Sequence, residues 1–198
     1  MVLPNQLTVL RIILTPIFLY LFLYGENTTL QISFVVFIIA AITDWYDGWL
    51  ARKFNYITEW GKFLDPLADK ILTSAAFIGF VLVNVLELWM VILIIIRDIL
   101  ITGIRIYADY KKVSFSTSYS AKWKTFLQMF FIYYLLFIYT IKTIDWIYTG
   151  REKFFNLLLH PLLIYYSMLF ITLFTVVTGI TYIYTNRLLI KQLFGVKN

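Results

Sequence analysis

The sequence predicts an all-α membrane protein in which six spanning helices form one bundle. Hydrophobic residues make up 61% of the 198 residues and charged residues 14%, which is more apolar side chain than one water-soluble core buries. Leu, Ile, Val and Phe are collected in runs near the ~20 residues that a membrane-spanning helix needs. These runs exclude a disordered chain and a barrel of alternating strands. Cysteine is absent, which excludes disulfides and thiolate metal sites.

The apolar runs and the polar breaks between them define the six helices. We expect them at residues 5–24, 30–52, 66–86, 88–110, 122–142 and 160–186. Gly25 separates the first pair, Asn84 and Glu87 mark the turn before the fourth helix, and Gly150 lies in the fifth connection. Few residues remain outside these helices, so residues 1–198 are expected to form a single domain.

The distribution of Lys and Arg predicts the orientation. The chain carries 17 Lys plus Arg against 11 Asp plus Glu, a net charge of +6. All the basic residues except Lys142, Arg151 and Lys153 fall at the two termini, in residues 52–70 or in residues 97–124. Because basic residues are retained on the cytoplasmic side, both termini are expected to be cytoplasmic. We therefore expect an integral membrane protein with its polar clusters at the cytoplasmic face.

Four aspartates occur where the second and third spans approach that face. Asp44 and Asp47 are three residues apart, and Asp65 and Asp69 are four apart, so each pair lies on one face of a helix. The intervening segment returns the chain, so we expect the two pairs to face each other across adjacent helices. Carboxylates in hydrocarbon are costly, and their presence in a span indicates a functional site.

Carboxylates that converge need a cation, because like charges at close range repel. Oxygen ligands without nearby His or Cys favour Mg²⁺ or Mn²⁺ over zinc. The alternative is that these acids are solvated or paired with basic neighbours, namely Arg52, Lys53, Lys62 and Lys70. The single histidine, His160, precedes Pro161 and is expected at a helix end, without a chemical role.

The residues from Asp44 to Asp69 also form one longer pattern. It reads Asp44-x2-Asp47-Gly48-x2-Ala51-Arg52-x8-Gly61-x3-Asp65-x3-Asp69. This pattern resembles the signature of the CDP-alcohol phosphatidyltransferase family, with eight specified residues at fixed spacing. The resemblance implies a six-helix fold, usually a homodimer, and transfer of a phosphatidyl group from a CDP-linked lipid to an alcohol with release of CMP.

The resemblance also implies roles for individual residues. Two divalent ions, Mg²⁺ or Mn²⁺, would be held against the lipid diphosphate by Asp44, Asp47, Asp65 and Asp69. Asp69 would also be the general base that takes the proton of the acceptor hydroxyl. Residues expected to contact the CDP-lipid are Asp47, Gly48, Arg52 and Gly61, with Asn5 and Thr8 beside them at the cytoplasmic end of the first span.

Basic residues of the fourth and fifth spans are expected beside the acids. Arg97 and Arg105 lie roughly 13 and 26 Å from the start of the fourth helix, so Arg105 shares the depth of the acids and Arg97 is deeper. A buried guanidinium must meet an anion, either an acidic neighbour or a substrate phosphate. Together with Lys122 and Lys124, these residues predict a cationic pocket for the phosphate of an acceptor.

Segments 3–11, 97–105, 122–125 and 177–182 resemble members of the family whose acceptor is glycerol 3-phosphate. The departures are Asp98, where those members commonly have Glu, and Ala121 in place of Gly. The expected reaction is transfer from CDP-diacylglycerol to glycerol 3-phosphate. Three alternatives remain: another acceptor (inositol phosphate, serine or phosphatidylglycerol), a divalent-cation transporter built on the same carboxylates, and simple pairing of Arg97 with Asp98 or Asp109.

Overall fold

The computed structural model describes residues 3–54, 59–111, 113 and 119–193, and the regular structure in these ranges is entirely α-helical. The helices are α1 Leu3–Tyr24, α2 Asn27–Phe54, α3 Glu59–Leu82, α4 Leu88–Tyr110, α5 Tyr119–Ile141, α6 Asp145–Tyr148, α7 Glu152–Leu158, α8 Pro161–Thr185 and α9 Arg187–Leu193. The all-α prediction is therefore confirmed. Six of these helices have 22 to 28 residues and overlap the six predicted segments.

The helix boundaries follow from the residues that break them. Gly25 adopts a positive φ of 79° between α1 and α2, a conformation that glycine reaches at little cost. Asn84 has a φ of 58° after α3, and the amides of Val85 and Leu86 donate to the Phe80 carbonyl at 2.9 and 3.2 Å. This capped turn ends α3 four residues before the predicted end of the third span.

Helix α3 begins earlier than the sequence predicted. We expected the third span to begin at residue 66, with Asp65 and Asp69 at its start. The helix instead starts at Glu59 and continues through Pro66. Proline removes one backbone donor, and the helix tolerates that loss, so Asp65 and Asp69 lie within α3 and not at its first turn.

Four segments are long and apolar enough to cross a membrane, counting only the described residues. They are Gln6–Tyr24, Asn27–Leu50, Ala121–Ile141 and Glu152–Thr185. Helices α3 and α4 are of similar length but carry more charge, with Asp65, Asp69 and Lys70 on α3 and Arg97 and Asp98 among the charges of α4. Large apolar side chains are exposed along the outside of the bundle, which fits lipid as the surrounding solvent.

Helix α1 is the main packing partner of both α2 and α3. It packs against both α2 and α3, whereas α2 and α3 have little direct contact. The rings of Phe18 and Phe37 lie 5.1 Å apart and those of Phe22 and Phe80 lie 5.0 Å apart, which joins α1 to each neighbour. Helix α4 packs on α3 and α8, and α5 packs on α8 and α2.

The core of this bundle should be more sensitive to truncation than its lipid-facing surface. Leu72 is 2% exposed in the core and Leu173 is 56% exposed on α8. We expect Leu72→Ala to lower the free energy of unfolding by about 2 kcal/mol, because the cavity that it leaves loses packing contacts. Leu173→Ala should change it by less than about 0.5 kcal/mol. Thermal unfolding of both variants in the same detergent measures the difference, and equal effects would contradict this assignment of core and surface.

Candidate active site

A buried arginine of α1 meets the first pair of aspartates. The side chain of Arg11 is fully buried. Its Nη1 lies 2.6 Å from Asp44 Oδ1, and its Nη2 donates to Asp47 Oδ2 at 2.7 Å. The two carboxylates stand three residues apart on α2, so one guanidinium reaches both. Asp47 is 4% exposed, so Arg11 compensates a carboxylate that is almost wholly removed from solvent.

The second pair of aspartates lies on α3 and has separate partners. Thr8, one turn before Arg11 on α1, donates its hydroxyl to Asp65 Oδ1 at 2.5 Å. Lys70 Nζ donates to Asp69 Oδ2 at 2.9 Å. One face of α1 therefore contacts both acidic pairs, which places the polar face of this otherwise apolar helix between α2 and α3.

The four carboxylates are near enough to interact through their charges. Asp44 interacts electrostatically with Asp65 and Asp69, and Asp47 interacts with Asp44 and Asp65. We expected the two pairs to face each other directly, but α1 contributes Thr8 and Arg11 between them. In the part of the chain that the structure describes, no three acidic or imidazole groups are arranged to hold a metal ion.

The donor chemistry nevertheless fits a hard divalent cation. The site presents carboxylate oxygens without sulfur or imidazole, which is the ligand set of Mg²⁺ or Mn²⁺. Among the side chains that the structure describes, Arg11 and Lys70 bring two positive charges to the four carboxylates, so these groups together carry more negative than positive charge. The sequence also left open that the acids pair with basic neighbours instead of binding a cation. Asp69 does form such an ion pair, with Lys70.

A cavity of about 600 Å³ lies beside Asp69, between α3, α4, α5 and α8. Its basic lining residues are Lys70, Arg97, Arg105, Lys122 and Lys124. The structure thus brings together in one cavity all four residues that the sequence assigned to the acceptor phosphate, with the carboxylate of Asp69 in the same wall. Arg105 and Lys122 come from α4 and α5, so the cavity depends on the packing of both helices against α3.

Asp98 lies behind the cavity wall and forms ion pairs with three of the basic side chains that line the cavity. It is 5% exposed and forms an ion pair with Lys124, which is itself 1% exposed. Arg97 Nη1 lies 3.3 Å from the same carboxylate, and Lys70 Nζ lies 3.9 Å away. The pairing of Arg97 with Asp98, one of the alternatives left open by the sequence, is therefore present. Lys70 connects this network to Asp69.

The remaining residues assigned from sequence have simpler positions. Gly48 is half-buried on α2 and Gly61 is buried on α3. The side chains of Asn5 and Arg52 lie outside the described part of the chain. His160 caps the start of α8, where its Nδ1 accepts from the Leu162 amide at 3.3 Å, so the expectation of a helix-end residue is confirmed.

Sequence reasoning missed Arg11, Lys70 and Asp98 as site residues. Arg11 was counted only for orientation, although a guanidinium inside an apolar helix is itself a signal that an anion lies nearby. Asp98 was treated as an ordinary partner of Arg97. Its position beside Arg97 in a span could have indicated a buried network, but the contact with Lys124 joins residues 26 positions apart and has no local signature.

A sequence model of the CDP-alcohol phosphatidyltransferase family matches residues 1–178, and the chain belongs to this family. Enzymes of this family are generally dependent on divalent cations.

Three relatives share the name CDP-diacylglycerol–glycerol-3-phosphate 3-phosphatidyltransferase. The protein of Rickettsia typhi is 39% identical over 128 residues, which are 65% of this chain and 72% of that protein. The protein of Bacillus subtilis strain 168 is 45% identical over 116 residues, 52% of this chain and 60% of that protein. The protein of Mycoplasma genitalium is 35% identical over 136 residues, 67% of this chain and 58% of that protein.

Loss of Arg11 should leave the buried carboxylates uncompensated. We expect Arg11→Gln to lower the free energy of unfolding by about 3 kcal/mol, the cost of breaking a buried ion pair from one side. Addition of Mg²⁺ should recover part of this loss, because a divalent cation can replace the missing charge. Thermal unfolding in EDTA and in Mg²⁺ measures both effects. Arg187→Gln, at an exposed arginine of α9, is the control and should change neither value. Equal stability of the two variants would contradict the role of Arg11.

Proposed function

We propose that this protein transfers the phosphatidyl group of CDP-diacylglycerol to sn-glycerol 3-phosphate, giving phosphatidylglycerophosphate and CMP in phospholipid biosynthesis. Membership of the CDP-alcohol phosphatidyltransferase family and the names of the relatives support this reaction. The single structural observation that carries it is the position of Asp69. This carboxylate belongs to the acidic group of α2 and α3 and also lines the basic cavity. A group at that junction can contact both the donor lipid and the acceptor.

The basic cavity binds the acceptor in this proposal. Arg97, Arg105 and Lys122 supply positive charge for the phosphate of glycerol 3-phosphate, and guanidinium groups suit phosphate oxygens because they can donate two parallel hydrogen bonds. With the phosphate at these side chains, the three-carbon acceptor can extend its free primary hydroxyl towards Asp69. Lys124 lines the same cavity and supplies a further positive charge for the phosphate, and its ion pair with Asp98 holds it in place.

The acidic group binds the diphosphate of CDP-diacylglycerol together with divalent cations. Asp44, Asp47, Asp65 and Asp69 would hold two Mg²⁺ or Mn²⁺ ions, which supply charge neutralisation to the diphosphate and to the departing CMP. Of the described side chains, Arg11 and Lys70 compensate part of the acidic charge, and the remaining negative charge favours a divalent cation. Gly48 and Gly61 leave space for the nucleotide, and Asn5, Thr8 and Arg52 lie in the segments that flank it.

The chemical step needs one proton acceptor and one leaving group. Asp69 takes the proton of the acceptor hydroxyl as the hydroxyl oxygen forms its bond to the lipid-side phosphorus. The bond between that phosphorus and the bridging oxygen breaks, and CMP leaves with the electron pair. Lys70, at 2.9 Å from Asp69, orients the carboxylate for this transfer. Positioning and charge compensation account for the catalysis, as is usual for phosphoryl-type transfer.

The membrane arrangement is part of the proposal. We infer that the six long helices all cross the bilayer as one domain of residues 1–198, with both termini and the active site on the cytoplasmic side of a bacterial membrane. The charges within α3 and α4 are consistent with this arrangement, because several of them pair with partners inside the bundle. The family resemblance further supports a homodimer.

The reaction is tested by release of CMP from CDP-diacylglycerol in detergent micelles. The purified protein with Mg²⁺ should release CMP only when glycerol 3-phosphate is added. Inositol phosphate, serine and phosphatidylglycerol, tested side by side, should not replace it. Asp69→Asn should lower the rate by at least about 100-fold, because it removes the proton acceptor. Asp109→Asn, at an exposed aspartate of α4, is the matched control and should keep wild-type turnover.

Several results would contradict this assignment. Full activity of Asp69→Asn would exclude Asp69 as the base. Preference for another acceptor would keep the chemistry but change the substrate. Cation flux into liposomes without a nucleotide lipid, combined with no CMP release, would favour the transporter alternative.

Removal of divalent cations should stop the reaction. Dialysis against EDTA should abolish CMP release, and Mg²⁺ or Mn²⁺ should restore it. Asp47→Asn should raise the Mg²⁺ concentration needed for half-maximal rate by about tenfold or more, because it removes a charged ligand. The same titration of Asp109→Asn is the control. A Mg²⁺ requirement unchanged in Asp47→Asn would contradict the proposed ligand set.

A further inference from the structure

We propose that Asp98, Thr178 and Gly179 are positioning residues for the acceptor phosphate. None of the three lines the cavity, but together they fix the two cations, Arg97 and Lys124, that do. Affinity for the phosphorylated acceptor then depends on side chains that never touch it. The inference rests on the proposed function and names the residues that determine acceptor affinity at the same site.

Asp98 joins three helices through one carboxylate. It lies on α4 and pairs with Lys124 of α5 and with Lys70 of α3, and it receives a bond from Arg97 of its own helix at 3.3 Å. Three cations this close would repel each other without the carboxylate, because they share an enclosed site of low polarity. Asp98 therefore allows the cationic side chains to stay together at the wall of the cavity.

Thr178 fixes the other end of the Arg97 guanidinium. Arg97 Nη2 donates to Thr178 Oγ1 at 3.3 Å. The hydroxyl of Thr178 in turn donates to the Thr175 carbonyl at 2.9 Å. Because its proton is used in that bond, the hydroxyl presents lone pairs to the guanidinium and acts as an acceptor. Arg97 is thus held by a carboxylate on one side and a hydroxyl on the other.

Gly179 provides the space through which the Arg97 side chain passes. A Cβ atom at this position would lie 2.8 Å from Arg97 Cγ and 3.1 Å from Arg97 Nε. The Cγ atom is close to the backbone, so the arginine could avoid this contact only by changing its rotamer. Gly103 on α4 is a contrasting glycine, because a Cβ atom there would meet no atom within 4 Å.

A general electrostatic effect and a positioning effect predict opposite results for Asp98→Asn. Removal of the negative charge makes the cavity more positive, which by charge alone would strengthen binding of a dianion. Loss of positioning releases Lys124 and Arg97 and weakens binding. The sign of the change in KM for glycerol 3-phosphate therefore separates the two explanations.

The first experiment measures KM separately for the two substrates. Asp98→Asn should raise KM for glycerol 3-phosphate by about tenfold or more, the effect of losing a hydrogen bond to a charged group. KM for CDP-diacylglycerol should stay within about twofold, since Asp98 contacts none of the four acids assigned to the donor. Asp98→Glu, which keeps the charge, should recover most of the affinity. Binding of glycerol 3-phosphate measured by titration calorimetry, without the donor lipid, should show the same order of variants.

The second experiment uses the two glycines and does not change charge. Gly179→Ala should raise KM for glycerol 3-phosphate, and Gly103→Ala should leave it unchanged. Thr178→Val should have a smaller effect in the same direction, because it removes only the acceptor for Nη2. These variants also decide the question if Asp98→Asn does not fold, as judged by size-exclusion chromatography and thermal unfolding.

The inference is overturned if Asp98→Asn folds and its KM for glycerol 3-phosphate is unchanged or lower. It is equally overturned if Gly179→Ala and Gly103→Ala give the same KM as the wild type. A rise in KM for both substrates alike would also contradict it, because that result indicates a general structural defect. Failure of the proposed function is distinguishable, since the wild-type protein would then neither bind nor use glycerol 3-phosphate.

Discussion

The ion pairs of Arg11 with Asp44 and Asp47 determine how the bundle is arranged at the end that bears the acids. Arg11 is fully buried and Asp47 nearly so. Either charge alone in such surroundings would cost several kcal/mol, so the helices that carry them must lie together. Thr8, on the same face of α1, donates a hydrogen bond to Asp65 of α3 and so holds Asp65 near the Arg11 ion pairs. Helix α1 therefore packs against both α2 and α3, and this arrangement keeps four acids near one another although α2 and α3 have little direct contact.

A second group of charges continues from the first through Lys70. Lys70 contacts Asp69 of the acidic group and lies 3.9 Å from Asp98, which pairs with Lys124 and Arg97. The two proposed substrate sites are thus joined by a series of ion pairs that runs from the partly exposed Asp69 and Lys70 to the buried Asp98 and Lys124. Such a network is costly when one member is lost, because the partner is left as an uncompensated charge. This gives the active site rigidity that apolar helix packing alone does not supply, since lipid surrounds the bundle and apolar side chains gain little by leaving it.

The sequence was sufficient for the features that depend on local pattern. Apolar runs predicted five of the six long helices to within three residues of their observed bounds, whereas α3 starts seven residues before the predicted segment. Gly25 and Asn84 predicted two of the turns. The shared location of the four basic residues assigned to the acceptor could also be predicted, because helical rise alone gives the depth of Arg97 and Arg105.

Features that depend on which helices are neighbours could not be predicted in this way. The contact between Arg11 and Asp47 joins α1 to α2 across 36 positions, and the contact between Lys124 and Asp98 joins α5 to α4. Neither contact produces a periodic pattern in the sequence. Both also involve a basic residue, and basic residues of a membrane protein are usually interpreted only as indicators of orientation.

The charge of the cavity favours a small phosphorylated acceptor over serine and phosphatidylglycerol. Among the described residues, five cationic side chains line it, and the nearby carboxylates are those of Asp69 and Asp98. An excess of positive charge in one cavity is unfavourable unless an anion shares it. Serine carries no net charge to contribute, and phosphatidylglycerol would have to bring two acyl chains to a cavity of about 600 Å³. Glycerol 3-phosphate brings two negative charges on a three-carbon chain, so it balances the cations and leaves a hydroxyl within the same space as Asp69.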